Sequence, residues 1–150
     1  MQSDPALAYR YALRLLGYRG RSERELRQRL IAKGFDEKAA GAATSKARAA
    51  GYLDDAEYAR NLVREAREVR HLGARGTRRF LGGRGIDAGE AEDALAGYDD
   101  TDAARRLVRK ALVKGGVGDP AERRRKLAAM LMRRGHSYET VRMIFKEDGL

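Results

Sequence analysis

Three short stretches of the chain repeat one pattern: LIAKGFD at residues 30–36, LGGRGID at 81–87 and LMRRGHS at 131–137. In each, the central glycine supplies the left-handed backbone that closes a helix, and the Asp or Ser two residues later can cap the next one. Each stretch therefore predicts a tight corner between two helices. Gly34, Gly85 and Gly135 are 51 and 50 residues apart, a spacing that reads as a repeat period.

The hydrophobic periodicity around these corners is helical throughout, with no alternating strand pattern bounded by hairpin turns, so the chain is expected to be all-α. The first helix opens at Asp4-Pro5 and aligns Leu7, Tyr11, Leu15 and Tyr18 on one face. The second opens with a capping box, Ser22-x-x-Glu25, and runs to Lys33; the third runs from Asp36 through an alanine-rich segment to Gly51. The cycle then restarts. Asp54 and Glu57 cap a helix with Tyr58, Ala59, Leu62, Val63, Ala66 and Val69 as its buried stripe, ending near Gly73. A short helix covers about 75–84, and Asp87-x-x-Glu90 caps the next. The third cycle uses Ala104, Leu107, Val108, Ala111 and Leu112, then a helix from Asp119-Pro120 carrying Leu127, Met130 and Leu131. A last helix after Ser137 buries Tyr138, Val141 and Phe145.

The first helices of the cycles also share a signature: Ala12-x-x-Leu15-Leu16, Ala59-x-x-Leu62-Val63 and Ala104-x-x-Leu107-Val108. The expected architecture is three tandem three-helix repeats, 1–53, 54–99 and 100–150, in an elongated array free to curve. A single compact globule is the alternative. The alanines of the third helix imply shallow packing, and Gly82 and Gly83 inside a helix cost roughly 1 kcal/mol each relative to alanine. Both point to a flexible array.

Charge is distributed unevenly over these repeats. The 32 Lys+Arg against 22 Asp+Glu leave a net charge of +10, a surplus usually matched by a polyanion such as nucleic acid. The outer repeats each carry +6 and the middle one −2. Within the middle repeat, 60–84 holds eight arginines against Glu65 and Glu68, whereas 85–102 holds seven acids and no base. No apolar run approaches the roughly 18 residues of a membrane span, and MQSDP carries Asp-Pro in place of a basic leader. A soluble, cytoplasmic monomer without membrane contact is expected.

No catalytic constellation is expected. With no cysteine, and with His71 and His136 far apart, neither a metal nor another cofactor is indicated, and both histidines read as surface or helix-end residues. Asp54-Asp55 and Asp99, Asp100, Asp102 could hold magnesium, but they fall at helix starts, where aspartate caps the helix. Gly73-Ala-Arg-Gly76 lacks the strand and Lys-Ser/Thr of a nucleotide loop. The basic residues carry the functional expectation instead. Arg60, Arg64, Arg67 and His71 share one arc of a helix, and Arg70, Arg75, Arg78 and Arg79 extend the positive surface. A secondary patch comprises Arg123, Arg124 and Lys126. No Asn or Gln sits at a base-reading position, so contact would be with phosphates and insensitive to sequence.

The stretch from Ser22-x-x-Glu25-Leu26 to Lys33-Gly34-Phe35, followed by Gly51-Tyr-Leu-Asp-Asp-x-x-Tyr-Ala59, resembles the RecX family of recombinase regulators. Gly73-x-x-Gly76 with Arg78-Arg79 and Arg84-Gly85-Ile86 resembles the family's middle motif. Asp119-Pro120, Leu127, Arg134-Gly135 and Ser137-Tyr138 resemble its last repeat. Thr77, Phe80 and Gly82-Gly83 depart from the family pattern. The resemblance implies three three-helix repeats that lie in the groove of the RecA filament on single-stranded DNA. It further implies suppression of RecA's ATP hydrolysis, strand exchange and coprotease activity, and so regulation of recombination, DNA repair and the SOS response. Arg60–Arg79 would face DNA or the groove wall, and Glu90, Glu92 and Asp93 would face the recombinase. Double-stranded DNA stands beside single-stranded DNA as a second nonspecific partner to test, and a stand-alone, sequence-neutral DNA-binding or nucleoid protein is the other reading.

Overall fold

The computed structural model describes residues 2–115 and 118–150. Among these residues there are nine helices: α1 Pro5–Tyr18, α2 Glu23–Lys33, α3 Glu37–Ala49, α4 Asp55–Glu68, α5 Ala74–Gly83, α6 Ala88–Leu95, α7 Thr101–Lys114, α8 Pro120–Arg133 and α9 Tyr138–Glu147. The expected all-α repeat is thus formed, with no named strand among the described residues; Gln2 makes one isolated backbone bridge to Phe35. The corner glycines adopt the left-handed conformation the sequence requires of them, with φ of 114° at Gly34, 82° at Gly85 and 84° at Gly135. Asp36, Asp87 and Ser137 accept from the N–H groups of Ala39, Glu90 and Thr140 at 2.7, 2.8 and 3.1 Å, capping the helices beyond.

Contacts divide the chain into two compact units, Met1–Arg60 with Leu81–Ala91, and Asn61–Phe80 with Glu92–Leu150. The core of the first is built on a seam of small residues. Ala8 and Ala12 of α1 are fully buried with Ala39, Ala40, Ala43 and Ala47 of α3. Alanine at the seam lets the two backbones approach closely, so α3 is intimately rather than shallowly packed. The same closeness explains why Leu7 and Tyr18, expected on the inner face of α1, lie outside it, Tyr18 being 78% exposed. Leu26, Leu30, Phe35 and Leu53 fill the remaining volume, each fully buried leucine contributing about 2 kcal/mol.

In the second unit, Ala104, Leu107, Val108, Leu131, Val141 and Ile144 make the core of the last helix triad, with Phe145 half-buried. Tyr138, expected inside, is the first residue of α9 and 65% exposed; Thr140, Val141 and Ile144 take the inner face. Val69 is 69% exposed because α4 stops at Glu68, earlier than its periodicity suggests. Past that point the chain turns through His71, whose φ is 53°.

One device occurs twice, once in each unit. In the first, the N–H of Glu23 at the start of α2 donates to Asp55 Oδ1 at 3.0 Å, and Ser22 Oγ–H donates to the Arg84 carbonyl at 2.6 Å. In the second, the N–H of Ala74 at the start of α5 donates to Asp100 Oδ2 at 3.2 Å, and the Gly73 N–H donates to the Arg134 carbonyl at 2.9 Å. In both, an aspartate from the first helix of one triad caps the second helix of the triad before it, and the carbonyl before a corner glycine accepts from the residue preceding that helix. The neighbouring aspartates, Asp54 and Asp99, accept from Glu57 and Thr101 and cap their own helices. Each Asp-Asp pair therefore has one local and one long-range function, and only the local one is visible in the sequence.

The second joint is closed more tightly. Gly76 and Gly135 meet backbone to backbone: a Cβ on Gly76 would run into the Arg134 carbonyl, and one on Gly135 into the Gly76 N–H. His136, expected at the surface, is 3% exposed. Its Nε2 lies 2.9 Å from the His71 carbonyl and its Nδ1 3.8 Å from Asp100 Oδ2, close but too long for a hydrogen bond. The imidazole of His136 is the main influence holding the Asp100 carboxyl below the usual range, and it prevails over burial with help from Ala74 N–H and the Thr140 hydroxyl. Asp55 has the reverse environment. Burial pushes its carboxyl up, and Glu23, Asp87 and Asp54 add to this against the Glu23 N–H.

These geometries set two outcomes. Gly76→Ala should destabilise by at least about 2 kcal/mol through backbone collision, whereas Gly82→Ala, with open space around it, should stabilise by up to about 1 kcal/mol; urea unfolding measures both. Asp100, depressed when folded, stabilises above its unfolded value near about 4 and loses this as pH falls through the lower folded value. Asp100→Asn should therefore cost about 1–2 kcal/mol at pH 7, with a flatter acid limb. Asp55, raised when folded, loses its contribution as pH rises, so Asp55→Asn should cost nothing at pH 7 when followed by thermal unfolding.

Candidate nucleic-acid interface

The arginines singled out in the sequence stand on α4, α5 and the turn between them. Arg64, Arg67, Arg70, Arg75, Arg78 and Arg79 fall within the second unit, and Arg60 in the first. Arg60, Arg64, Arg70, Arg75, Arg78 and Arg79 are exposed; Arg67 is half-buried. The apolar residues Leu62, Val63 and Ala66 fix the opposite side of α4 inward, which leaves the guanidinium groups facing water.

The fold sorts these arginines by the partners it gives them. Arg70 is held: its Nε–H donates to Glu65 Oε2 at 2.7 Å, and its guanidinium carbon lies 4.4 Å from the Phe80 ring centroid. Arg78 donates to Glu92 at 2.6 Å, and Arg79 to the Arg133 carbonyl at the end of α8 at 3.3 Å. Arg67 lies 3.6 Å from Glu68. Arg64 makes only a long contact of 3.4 Å to Asn61 Oδ1. Among the described residues, Arg60, Arg64 and Arg75 have neither a carboxylate nor a backbone-carbonyl partner. Their guanidinium groups are the most available to an external anion, since ion pairs engage Arg67, Arg70 and Arg78 and a carbonyl engages Arg79.

The acids are likewise divided. Glu92 is the partner of Arg78, so opposite charges separated in the sequence meet in the fold. Glu90 is half-buried beside Asp54 and Asp55 in the first unit, and Asp93 is exposed. In the secondary patch, Arg123, Arg124 and Lys126 are all exposed on α8, with Lys126 3.3 Å from Glu122 one turn earlier. Among the described residues no group of three His, Asp or Glu side chains is placed to hold a metal ion. None of the described helices is long and apolar enough to cross a membrane.

The glycines 73 and 76, considered above as a phosphate loop, are occupied by the Gly135 corner and face protein. Arg134, which precedes that corner, donates to the Arg70 carbonyl and is structural, as its helix-end position suggests. The arginines on either side of Gly20 lie outside the stripe expected from the sequence. Their signal was the Arg-Gly-Arg run directly ahead of the Ser22 capping box, where a charge has no helical face to occupy.

Comparison with known proteins agrees with this architecture. Residues 8–45 match the family model for the first three-helix domain of RecX, and residues 98–145 match the one for its third. A Regulatory protein RecX from Stenotrophomonas maltophilia (strain R551-3) is 39% identical over 139 residues, spanning 91% of this chain and 84% of that protein. Another from Prosthecochloris aestuarii (strain DSM 271 / SK 413) is 32% identical over 147 residues, 97% of this chain and 95% of the relative. The crystal structure of RecX from Lactobacillus salivarius has the same fold, with a TM-score of 0.82 at 24% identity over 95% of both chains. Nine helices in triads, the family's domains at both ends and relatives alike over nearly the whole length lead to one conclusion: the chain belongs to the RecX family of regulatory proteins.

Proposed function

We propose that this protein acts on the RecA filament assembled on single-stranded DNA, and that it slows the filament's ATP hydrolysis, strand exchange and coprotease function. Through these it would regulate recombination, DNA repair and the SOS response. Membership in the RecX family supports the partner. The observation that carries the mode of contact is the set of exposed arginines on α4 and α5 with neither a carboxylate nor a carbonyl partner, Arg60, Arg64 and Arg75. Guanidinium groups left free by the fold can replace the counterions of a phosphate backbone without first breaking an internal pair. No base-reading side chain accompanies them, so binding is insensitive to sequence.

In this reading Arg67, Arg70, Arg78 and Arg79 contribute field more than direct contact, because each already has an internal partner. Glu90 and Asp93 face basic residues of the recombinase. Arg123, Arg124 and Lys126 form a second phosphate-facing patch, the protein works as a monomer in the cytoplasm without catalytic chemistry of its own, and the repeats are 1–53, 54–99 and 100–150. The competing reading, a stand-alone coat on DNA, gains nothing from the acids of α6.

Substoichiometric protein should inhibit RecA ATP hydrolysis on single-stranded DNA; inhibition only at amounts that coat the DNA would indicate competition for DNA alone. Arg64→Ala with Arg75→Ala should weaken inhibition at least several-fold with unchanged helical circular dichroism, since exposed substitutions rarely alter stability by more than about 0.5 kcal/mol. For about six phosphates neutralised on a single strand, the log-log salt dependence of DNA binding should have a slope near about −4, and the double substitution should reduce it by about 1.4.

A further inference from the structure

The first unit contains a second basic site with a different construction. Arg19, at the end of α1, Arg21, in the connection to α2, and Arg29, on α2, line an open hollow of about 450 Å³ together with Glu25, Gln28 and Gly83. Arg21 is 8% exposed, although arginine is almost never buried without a counter-charge. Its one hydrogen bond among the described residues is long, from Nε–H to the Leu15 carbonyl at 3.4 Å, in the last turn of α1. A guanidinium has five N–H donors, so four remain without a protein acceptor.

The single carboxylate in the hollow does not answer this demand. Glu25 Oε2 accepts from Arg19 at 3.0 Å, and Oε1 accepts from the Ser22 N–H at 3.1 Å in the capping box. Three arginines therefore surround one acid that is already used. Desolvation lowers the pKa of Arg21, and the nearby charges of Arg19 and Arg29 lower it further. Holding a partly desolvated cation among like charges is costly even with Glu25 nearby, and an anion entering the hollow offsets that cost. Arginine's planar fork matches the oxygens of a phosphate two at a time.

We infer that this hollow binds a phosphate group, with Arg21 and Arg29 as its principal ligands and Arg19 and Gln28 at its edge. The site shares no residue with the interface on α4 and α5 and stands without it. The phosphate could belong to a nucleic-acid backbone or to a free phosphate ester; the recognition chemistry is the same.

The test uses the full chain with inorganic pyrophosphate as probe, read by thermal unfolding at low ionic strength. At tenfold excess over Kd the wild type should gain roughly 3–6 °C. Arg29→Ala, an exposed position, and Arg21→Met should each reduce the gain below about 1 °C, while Arg10→Ala, an exposed position on α1 outside the hollow with the same change in net charge, should retain it. Without ligand, Arg21→Met should be at least as stable as the wild type. An absent gain in the wild type, or an equal gain in Arg29→Ala, overturns the inference, and this holds even if Arg21→Met fails to fold. Fluorescence anisotropy of a labelled oligothymidylate then identifies the source. A several-fold loss of affinity in Arg29→Ala assigns the site to nucleic-acid backbone, and unchanged affinity with the pyrophosphate response lost assigns it to a free ester; either result upholds the site. RecA inhibition by Arg29→Ala is measured separately, so failure here does not bear on the α4–α5 interface.

Discussion

The joint formed where a corner glycine meets the start of another triad's second helix is the contact on which the rest depends. A helix N-terminus exposes N–H groups that must find acceptors, and a three-helix unit of some 50 residues cannot bury enough surface to stand alone. The joint meets both needs at once. Asp55 and Asp100 satisfy N–H groups of α2 and α5, and the carbonyls of Arg84 and Arg134 accept from the residues before those helices. At Gly76 and Gly135 the approach leaves no room for a side chain on either partner. A joint made of backbone admits few alternative registers, because any lateral slip breaks hydrogen bonds and creates collisions together.

The two joints are alike in geometry and opposite in electrostatics. Asp100 shares its site with His136 and Thr140, and its charged form is favoured. Asp55 shares its site with Glu23, Asp87 and Asp54, and its charged form is disfavoured. The same aspartate placed in the same role is therefore supported in one unit and strained in the other. This difference arises from the neighbours that each triad contributes, and stability along a repeat chain is accordingly uneven.

The arginines show a comparable division between scaffold and surplus. Arg48, Arg70, Arg78 and Arg105 reach carboxylates on other turns or helices, and Arg79 and Arg134 reach backbone carbonyls. Ion pairing leaves the net surplus unchanged but decides where it is free, and among the described residues the exposed positions 60, 64 and 75 and the largely buried Arg21 have no carboxylate partner. A cation without an internal partner is the feature an external polyanion can use, so the internal pairs decide which arginines are functional.

Much of this was legible in the chain itself. Glycine at 34, 85 and 135, a capping residue two positions on and apolar residues at helical spacing are local instructions, and each helix they predict is present. Inward faces were less legible, as Tyr18, Val69 and Tyr138 show, because helical spacing names a stripe without saying what approaches it. The alanines of α3 misled for the same reason: a small side chain signals weak burial by itself and close approach when another alanine faces it. The candidate site was legible as a run of arginines and no further, since a sequence does not show that Arg78 reaches Glu92 or that Glu25 is already occupied beside Arg21. The sequence by itself determined the helices, their corners and the positive surplus, because caps, turns and periodicity act over a few residues. Tertiary structure alone decided which carboxylate answers which guanidinium, and why His136 and Arg21 are buried, because those outcomes depend on groups brought together from distant parts of the chain.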